Sequence, residues 1–322
     1  MNTILVYVGL DLVGDGVMKL PFLASLRGLY PEARITWLAG QGKTVYAGVL
    51  APLTEGLLDE VIDDGNVGVK PLELLRRPLG GRAFDLVIDT QRRVMTSLIL
   101  KRIRHKIFIS AAADWRLSEA LPLSGRHKRP SMLGQMMALL EAAAGRTPPA
   151  PPRLKLDEKL TAAAKRRLPD GPVYVGLAPG AGGKHKCWPL ERFIAVGGEL
   201  AARGLKPVFL IGPAERQWEA VIRGQLPDAI LPLTDQDQPP LTIALAGRLA
   251  AAVANDSGTG HMLAAGGVPL VSLFGPTAPE KFAPFAERLV IVRAQEHGGQ
   301  EMSAIPQSAV IAELEKLLAS AS

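Results

Sequence analysis

The sequence predicts an α/β protein of two doubly wound, Rossmann-like halves, and three observations carry that expectation. Short β-branched runs alternate with longer amphipathic stretches, the pattern of parallel strand–helix units. The series is interrupted at RTPPAPPRLKL (146–156), where four prolines in a short span give an extended, semi-rigid linker. A length of 322 residues with 48% hydrophobic content is enough for two cores. The expected domains are therefore residues 1–150 and 151–322.

In the first half, ILVYVGL (4–10) reads as a buried strand, followed by a Gly/Asp turn and a helix through KLPFLASLRGLY. ARITWLAG (33–40), DEVIDD (59–64) and FDLVIDTQ (84–91) supply the next three strands, the last leading into the helical spacing of VMTSLILKRIR. KIFIS (106–110) closes the series, and Leu133 to Ala144 forms a long apolar helix. The second half repeats the pattern with VYVGLAPG (173–180), PVFLIGP (207–213), ILPLTD (230–235), AAVAND (251–256), PLVSLFG (269–275) and RLVIVRA (288–294). Helical stretches such as LERFIAVGGELAARG and MLAAGG lie between them, and SAVIAELEKLLASAS (308–322) is an amphipathic helix with Val310, Ile311, Leu314, Leu317 and Leu318 on one face. A ligand at the carboxyl ends of the strands, between the halves, is the default site for such a chain.

Composition excludes several classes. The lone Cys187 rules out a disulfide scaffold and Cys-based zinc sites, and it suits a reducing compartment. The N-terminus lacks a basic n-region and meets Asp11 early, so it reads as a first strand rather than a signal. No apolar run approaches the roughly 18 residues a membrane span needs, so a soluble, cytoplasmic protein is expected. The net charge is +6 and the pI about 9.5. Residues 76–129 hold 13 Lys/Arg against 4 Asp/Glu, so +9 lies in that window and −3 in the rest. Such local basicity points to an anionic partner. With 5% aromatic residues, none interleaved in that window, nucleic acid is not the expected one.

Two glycine motifs fail on inspection. Gly14-Asp15-Gly16-Val17-Met18-Lys19 ends in lysine, and an acid inside the turn repels a pyrophosphate, which argues against a dinucleotide fingerprint. PGAGGKHK (179–186) has Ala178 at the first Walker glycine and His185 where Ser or Thr binds magnesium. There is no HExxH. Asp235-Gln-Asp237 sits beside Pro239 and Pro240 and reads as a solvated loop, and Cys187 reads as a packed thiol.

Three loops at strand ends remain. In GLDLVGDGVMKLP (9–21), Asp15 is either an N-cap or a general base on a rigid turn. In PGAGGKHKCWPLERF (179–193), Gly180 and its small neighbours leave amides accessible, and Lys184 and Lys186 precede a helix; this is an anion site or a solvated loop. In ANDSGTGHMLAAGGVPLVSLFGPTAP (254–279), Asp256-Ser257-Gly258 follows a strand and opens a helix, and His261 is a core histidine or a ligand contact.

The Asp-Ser-Gly-x-x-His run followed by GVPLVSLFGPTAP resembles the signature of glycosyltransferase family 9, the bacterial ADP-heptose heptosyltransferases of lipopolysaccharide inner-core assembly. Gly14-Asp15, FDLVIDTQ, Lys186 ahead of Trp188-Pro189, and IGPAERQ (211–217) extend the resemblance in the family's order over almost the whole chain. It implies a GT-B fold, two Rossmann-like domains facing across a cleft, with the acceptor on the first and the nucleotide sugar on the second, and a C-terminal helix packing back on the first domain. It implies Asp15 as general base of an inverting, metal-independent transfer, Lys186 on the donor diphosphate, Asp256 at the donor sugar, and Ser257 and Gly258 at the phosphate. Gly180, Glu215 and His261 complete the expected nucleotide-sugar site, Glu215 through the ribose. No metal or cofactor is expected beyond the donor, ADP-heptose. The sequence departs from the family at Met18 and Lys19 and at Arg92-Arg93, which leaves the acceptor less defined than the donor. Lys19, Arg92 and Arg93 are the expected contacts to an anionic glycolipid at the cytoplasmic face of the inner membrane. Another donor sugar, a glycan or protein acceptor, or a homologue without turnover are the alternatives.

Overall fold

Residues 1–319, which the computed structural model describes, fold as two units, Met1–Pro152 and a second from Arg153 onward. The first is built on β1 (Thr3–Val8), β2 (Arg34–Ala39), β3 (Glu60–Ile62), β4 (Ala83–Asp89) and β5 (Arg104–Ser110), ordered β3-β2-β1-β4-β5 with every pairing parallel. β1 is central and Ile4 to Val8 are fully buried, which is why its apolar run is continuous rather than alternating. The chain winds outward one way from β1 and the other way from β4, so the switch point lies between the carboxyl ends of these two strands.

Three helices cover this sheet: α1 (Val13–Leu29), α2 (Val94–Leu100) and α3 (Met132–Ala144). α1 starts at Val13, earlier than the Gly/Asp pattern predicts, and carries Pro21 inside it. α3 follows the sequence closely. Ser131 caps it by accepting from Gly134 N at 3.0 Å, and Gly145 closes it at φ 62°, the left-handed conformation that favours glycine.

The second unit repeats the plan with β6 (Tyr174–Ala178), β7 (Lys206–Phe209), β8 (Ala251–Asn255), β9 (Leu270–Phe274) and β10 (Leu289–Arg293), ordered β10-β9-β8-β6-β7 and again parallel. Its switch point lies between β6 and β8. The helices are α4 (Glu158–Arg167), α5 (Leu190–Ala202), α6 (Glu219–Gln225), α7 (Pro239–Ala246), α8 (Gly258–Ala265), α9 (Pro279–Phe282) and α10 (Gln307–Ala319). The strand expected over ILPLTD does not form; Ile230 makes a single bridge to Val208, and Pro232 lacks the N–H that a longer ladder needs. Nor is the following Asp-Gln-Asp a free solvated loop. Asp237 accepts from Arg167 Nη2 at 2.8 Å and Thr234 N at 2.6 Å, and Asp235 from Arg216 Nε at 2.8 Å.

α10 places Val310, Leu314 and Leu317 in one core cluster with Trp188, Phe193, Val253 and Val271, all of the second unit. Residues 320–322 of the predicted C-terminal helix lie outside the described residues.

Candidate active site

The loop after β1 is held by a carboxylate that sequence reading passed over. Asp11 is buried and accepts from Trp37 Nε1 at 3.2 Å and Thr44 Oγ1 at 3.0 Å, and it pairs with the Lys19 ammonium. The Lys19 charge, expected at the acceptor, is thus engaged by Asp11, and its side chain is only 12% exposed. A second clamp comes from Tyr46, whose hydroxyl donates to Gly16 O at 2.7 Å. A Cβ at Gly16 would fall 2.5 Å from Val45 Cγ2, so this approach requires glycine.

Asp15 stands on the turn so fixed. The N-cap position belongs to Leu12, and Asp15 lies in the first turn of α1, so it is not the cap its sequence position allows. It is half-buried, and its carboxylate makes no hydrogen bond or ion pair with any described residue. An unengaged carboxylate on a rigid turn at the switch point is what proton abstraction requires.

Across that switch point, β4 ends in Asp89. Its buried carboxylate accepts from Gln91 N at 2.8 Å, Ser97 Oγ at 2.5 Å and Ser110 Oγ at 2.9 Å, joining the turn after β4, α2 and β5. Burial pushes this carboxyl up to about 6 despite those donors. The Gln91 side chain lies against Gly9, where a Cβ would approach it to 3.3 Å. The two loops therefore meet, and Arg92 and Arg93 stand exposed beside them, Arg93 at the N-cap of α2.

The second unit gathers the other expected residues at its own switch point. Lys186 Nζ donates to Asp256 Oδ2 at 2.8 Å, and Thr277 Oγ1 donates to the same oxygen at 2.7 Å. Asp256 is 7% exposed and Lys186 27%, so the ammonium is oriented from below yet open above. Asn255 ties the two loops together, donating from Nδ2 to Pro179 O at 2.7 Å and accepting Trp188 N on Oδ1 at 3.1 Å. Trp188 in turn donates from Nε1 to Ile305 O at 2.9 Å.

Ser257 caps α8, accepting Gly260 N at 3.2 Å, and Gly258 is that helix's first residue. The N–H groups that open a helix favour an anion there. His261 is buried one turn in. Glu215 accepts Gly212 N at 3.0 Å and lies so close to Gly180 that a Cβ there would stand 2.7 Å from its carboxyl carbon. A cavity of about 490 Å³ opens beside this loop, lined in part by Lys184, His185, Cys187, Pro276 and Met302. Burial pushes the Cys187 thiol up, which fits a packed thiol rather than a nucleophile.

The family model for glycosyltransferase family 9 (heptosyltransferase) matches residues 73–307. The chain belongs to this family. Lipopolysaccharide heptosyltransferase 3 of Escherichia coli is 25% identical over 95% of this chain and 97% of its own length. A family 9 glycosyltransferase of Veillonella parvula superposes with a TM-score of 0.77 at 23% identity, covering 99% of this chain and 98% of the other. The E. coli ADP-heptose LPS heptosyltransferase II superposes with a TM-score of 0.71 at 21% identity, covering 99% of both chains. The two doubly wound units are thus those of a GT-B glycosyltransferase. Arg92, Arg93, Lys186, Glu215, Asp256 and His261 lie within the matched family 9 span, and Asp15 precedes it. Sequence reading missed Asp11, Asp89, Asn255 and Thr277, each of which has a hydrogen-bond partner 21 or more residues away along the chain. Their common signal is a polar residue at or just beyond the end of an apolar strand run.

Proposed function

We propose that this family 9 enzyme transfers heptose from ADP-heptose to a hydroxyl of the lipopolysaccharide core, with inversion and without a metal, while peripherally bound to the inner membrane. The observation that carries the reading is the Lys186–Asp256–Thr277 cluster at the opening of α8: one cation, held in place and exposed on one side, beside unpaired backbone N–H groups. That is a site for a diphosphate that must leave with growing negative charge. The chain's similarity to a lipopolysaccharide heptosyltransferase and to an ADP-heptose LPS heptosyltransferase supports the choice of donor and acceptor.

In this reading Asp15 accepts the proton of the acceptor hydroxyl as its oxygen bonds to the anomeric carbon. The bond from that carbon to the β-phosphate oxygen breaks, and ADP leaves against Lys186. Asp256 orients Lys186 and meets the sugar, Glu215 meets the ribose, and Arg92 and Arg93 meet anionic groups of the acceptor. The test is incubation of the purified protein with ADP-heptose and core acceptors of defined length. A product heavier by one heptosyl residue, with stoichiometric ADP and a new linkage of inverted anomeric configuration by NMR, is expected. Release of ADP without a glycosylated product, or a retained configuration, would contradict it.

A further inference from the structure

The first unit carries a surface that extends well beyond the proposed acceptor contacts Arg92 and Arg93. Of the fifteen large apolar side chains exposed among the described residues, twelve lie in the first unit and three in the second. That unit also holds the basic window, 13 Lys/Arg against 4 Asp/Glu over residues 76–129. Both features coincide at two neighbouring elements. The short helical turn Pro71–Leu75 packs against α2, and Leu74 joins the core cluster that contains Ile99 and Leu100 of that helix. Outward, Leu72 is 73% and Leu75 80% exposed, with Val69 exposed just before them. α2 buries Thr96, Ser97, Ile99 and Leu100 and leaves Val94, Met95 and Leu98 in solvent.

The charges around these side chains are of one sign. Lys70, Arg76 and Arg77 flank the turn and Arg92 and Arg93 precede α2; all five are exposed, and none forms an ion pair with a described residue. The acid of this stretch, Glu73, is turned inward onto backbone, accepting from Gly68 N at 2.8 Å, Val69 N at 3.2 Å and Lys70 N at 2.6 Å. An ordinary solvated face intersperses acids with its bases, and a face shaped for single-stranded nucleic acid presents aromatic platforms. Six aliphatic side chains among five unpaired cations match the boundary between water and an anionic bilayer, where apolar groups enter the headgroup layer and Lys and Arg meet phosphates.

We propose that the Val69–Arg77 segment and the exposed face of α2 dock on an anionic phospholipid bilayer, with Leu72 and Leu75 entering its interface. The physiological purpose rests on the reading of the enzyme as acting on a membrane-borne acceptor; the docking itself rests on exposure and charge alone.

The test is co-sedimentation of the full-length protein with vesicles of phosphatidylcholine, with and without phosphatidylglycerol. Pelleting with the anionic vesicles, reduced by added salt, is expected. Leu72→Ser/Leu75→Ser and Arg76→Ser/Arg77→Ser should each lower the partition coefficient about tenfold or more, with melting temperature and ADP affinity unchanged. Partition equal to wild type in both variants, or no preference of the wild type for anionic vesicles, would overturn the proposal. Turnover separates it from the proposed reaction. Both variants should match wild type on an acceptor freed of its acyl chains and fall behind on the vesicle-embedded acceptor. Vesicle binding without turnover by the wild type sinks the transferase reading and supports docking; turnover without vesicle binding sinks docking alone.

Discussion

Asp11 and Asp89 are each engaged by three donors, and Asp15 by none among the described residues. The first two are scaffolding for the loops after β1 and β4, whereas Asp15 is available to a substrate proton. Asp15→Asn should lower turnover by about a hundred- to ten-thousand-fold, the range of a lost general base, and leave the ADP dissociation constant from calorimetry unaltered; unchanged turnover would remove Asp15 from the reaction. Lys186→Ala should weaken ADP binding by about ten- to a hundredfold, the loss of one charge-assisted contact, and equal affinity in the two proteins would discard the diphosphate role. Asp89 makes a prediction about pH. An unfolded aspartate releases its proton near pH 3.8, whereas burial moves this one up to about 6. Between those values the native state holds more protons, so stability falls as pH rises, by about 3 kcal/mol across the window, and is level above it. Asp89→Asn should abolish that slope in denaturant titrations run from pH 4 to 7, and an identical slope would assign it to another group.

At the scale of elements, the loops that carry function are held by side chains reaching across strand ends. Asn255→Ala would leave Trp188 N–H and Pro179 C=O without their partner, at a cost of about 2–3 kcal/mol. The expected result is a lower melting temperature together with weaker ADP binding, because the same bonds hold the loop bearing Lys186; a stability loss with full ADP affinity would show that the loop needs no such tie. Most of the strands were legible in the sequence because parallel strands buried on both faces read as unbroken apolar runs, as in β1 and β9. ILPLTD looks the same over its first residues, yet Pro232 and the aspartates that Arg167 and Arg216 draw aside leave only one bridge at Ile230. The start of α1 was misplaced for a related reason. Two glycines around Asp15 read as a turn, but tertiary contacts from Tyr46 and Val45 hold Gly16 in helix. Lys186 and Asp256 stand out as candidates in the sequence because loop, charge and strand end coincide in a few consecutive positions, whereas Glu215 is a candidate through the family resemblance alone. The Lys19–Asp11 pair was not legible. Eight residues separate them, and only the fold decides whether that ammonium faces a ligand or a buried carboxylate.

The whole molecule divides its labour along the chain. Residues 1–152 contain 19 Lys/Arg and 14 Asp/Glu, a balance of +5, which leaves +1 for the rest of the net +6. The basic pI is therefore a property of the unit that holds Asp15, Arg92 and Arg93, while the residues proposed for the nucleotide sugar sit in a nearly neutral one. Each unit has its own five-stranded sheet and its own switch point, and the bonds that join Lys186, Asp256 and Thr277 all lie within the second unit. The core around Trp188 and α10 likewise belongs to the second unit alone. A chain beginning at Arg153 should consequently fold cooperatively and bind ADP within about tenfold of the full-length affinity, since it keeps every contact proposed for the diphosphate. It should transfer no heptose, because the proposed base is missing. Calorimetric titration of the shortened and full-length proteins decides the matter: a dissociation constant weakened by more than a hundredfold in a folded second unit would mean that the donor site draws on residues before Arg153.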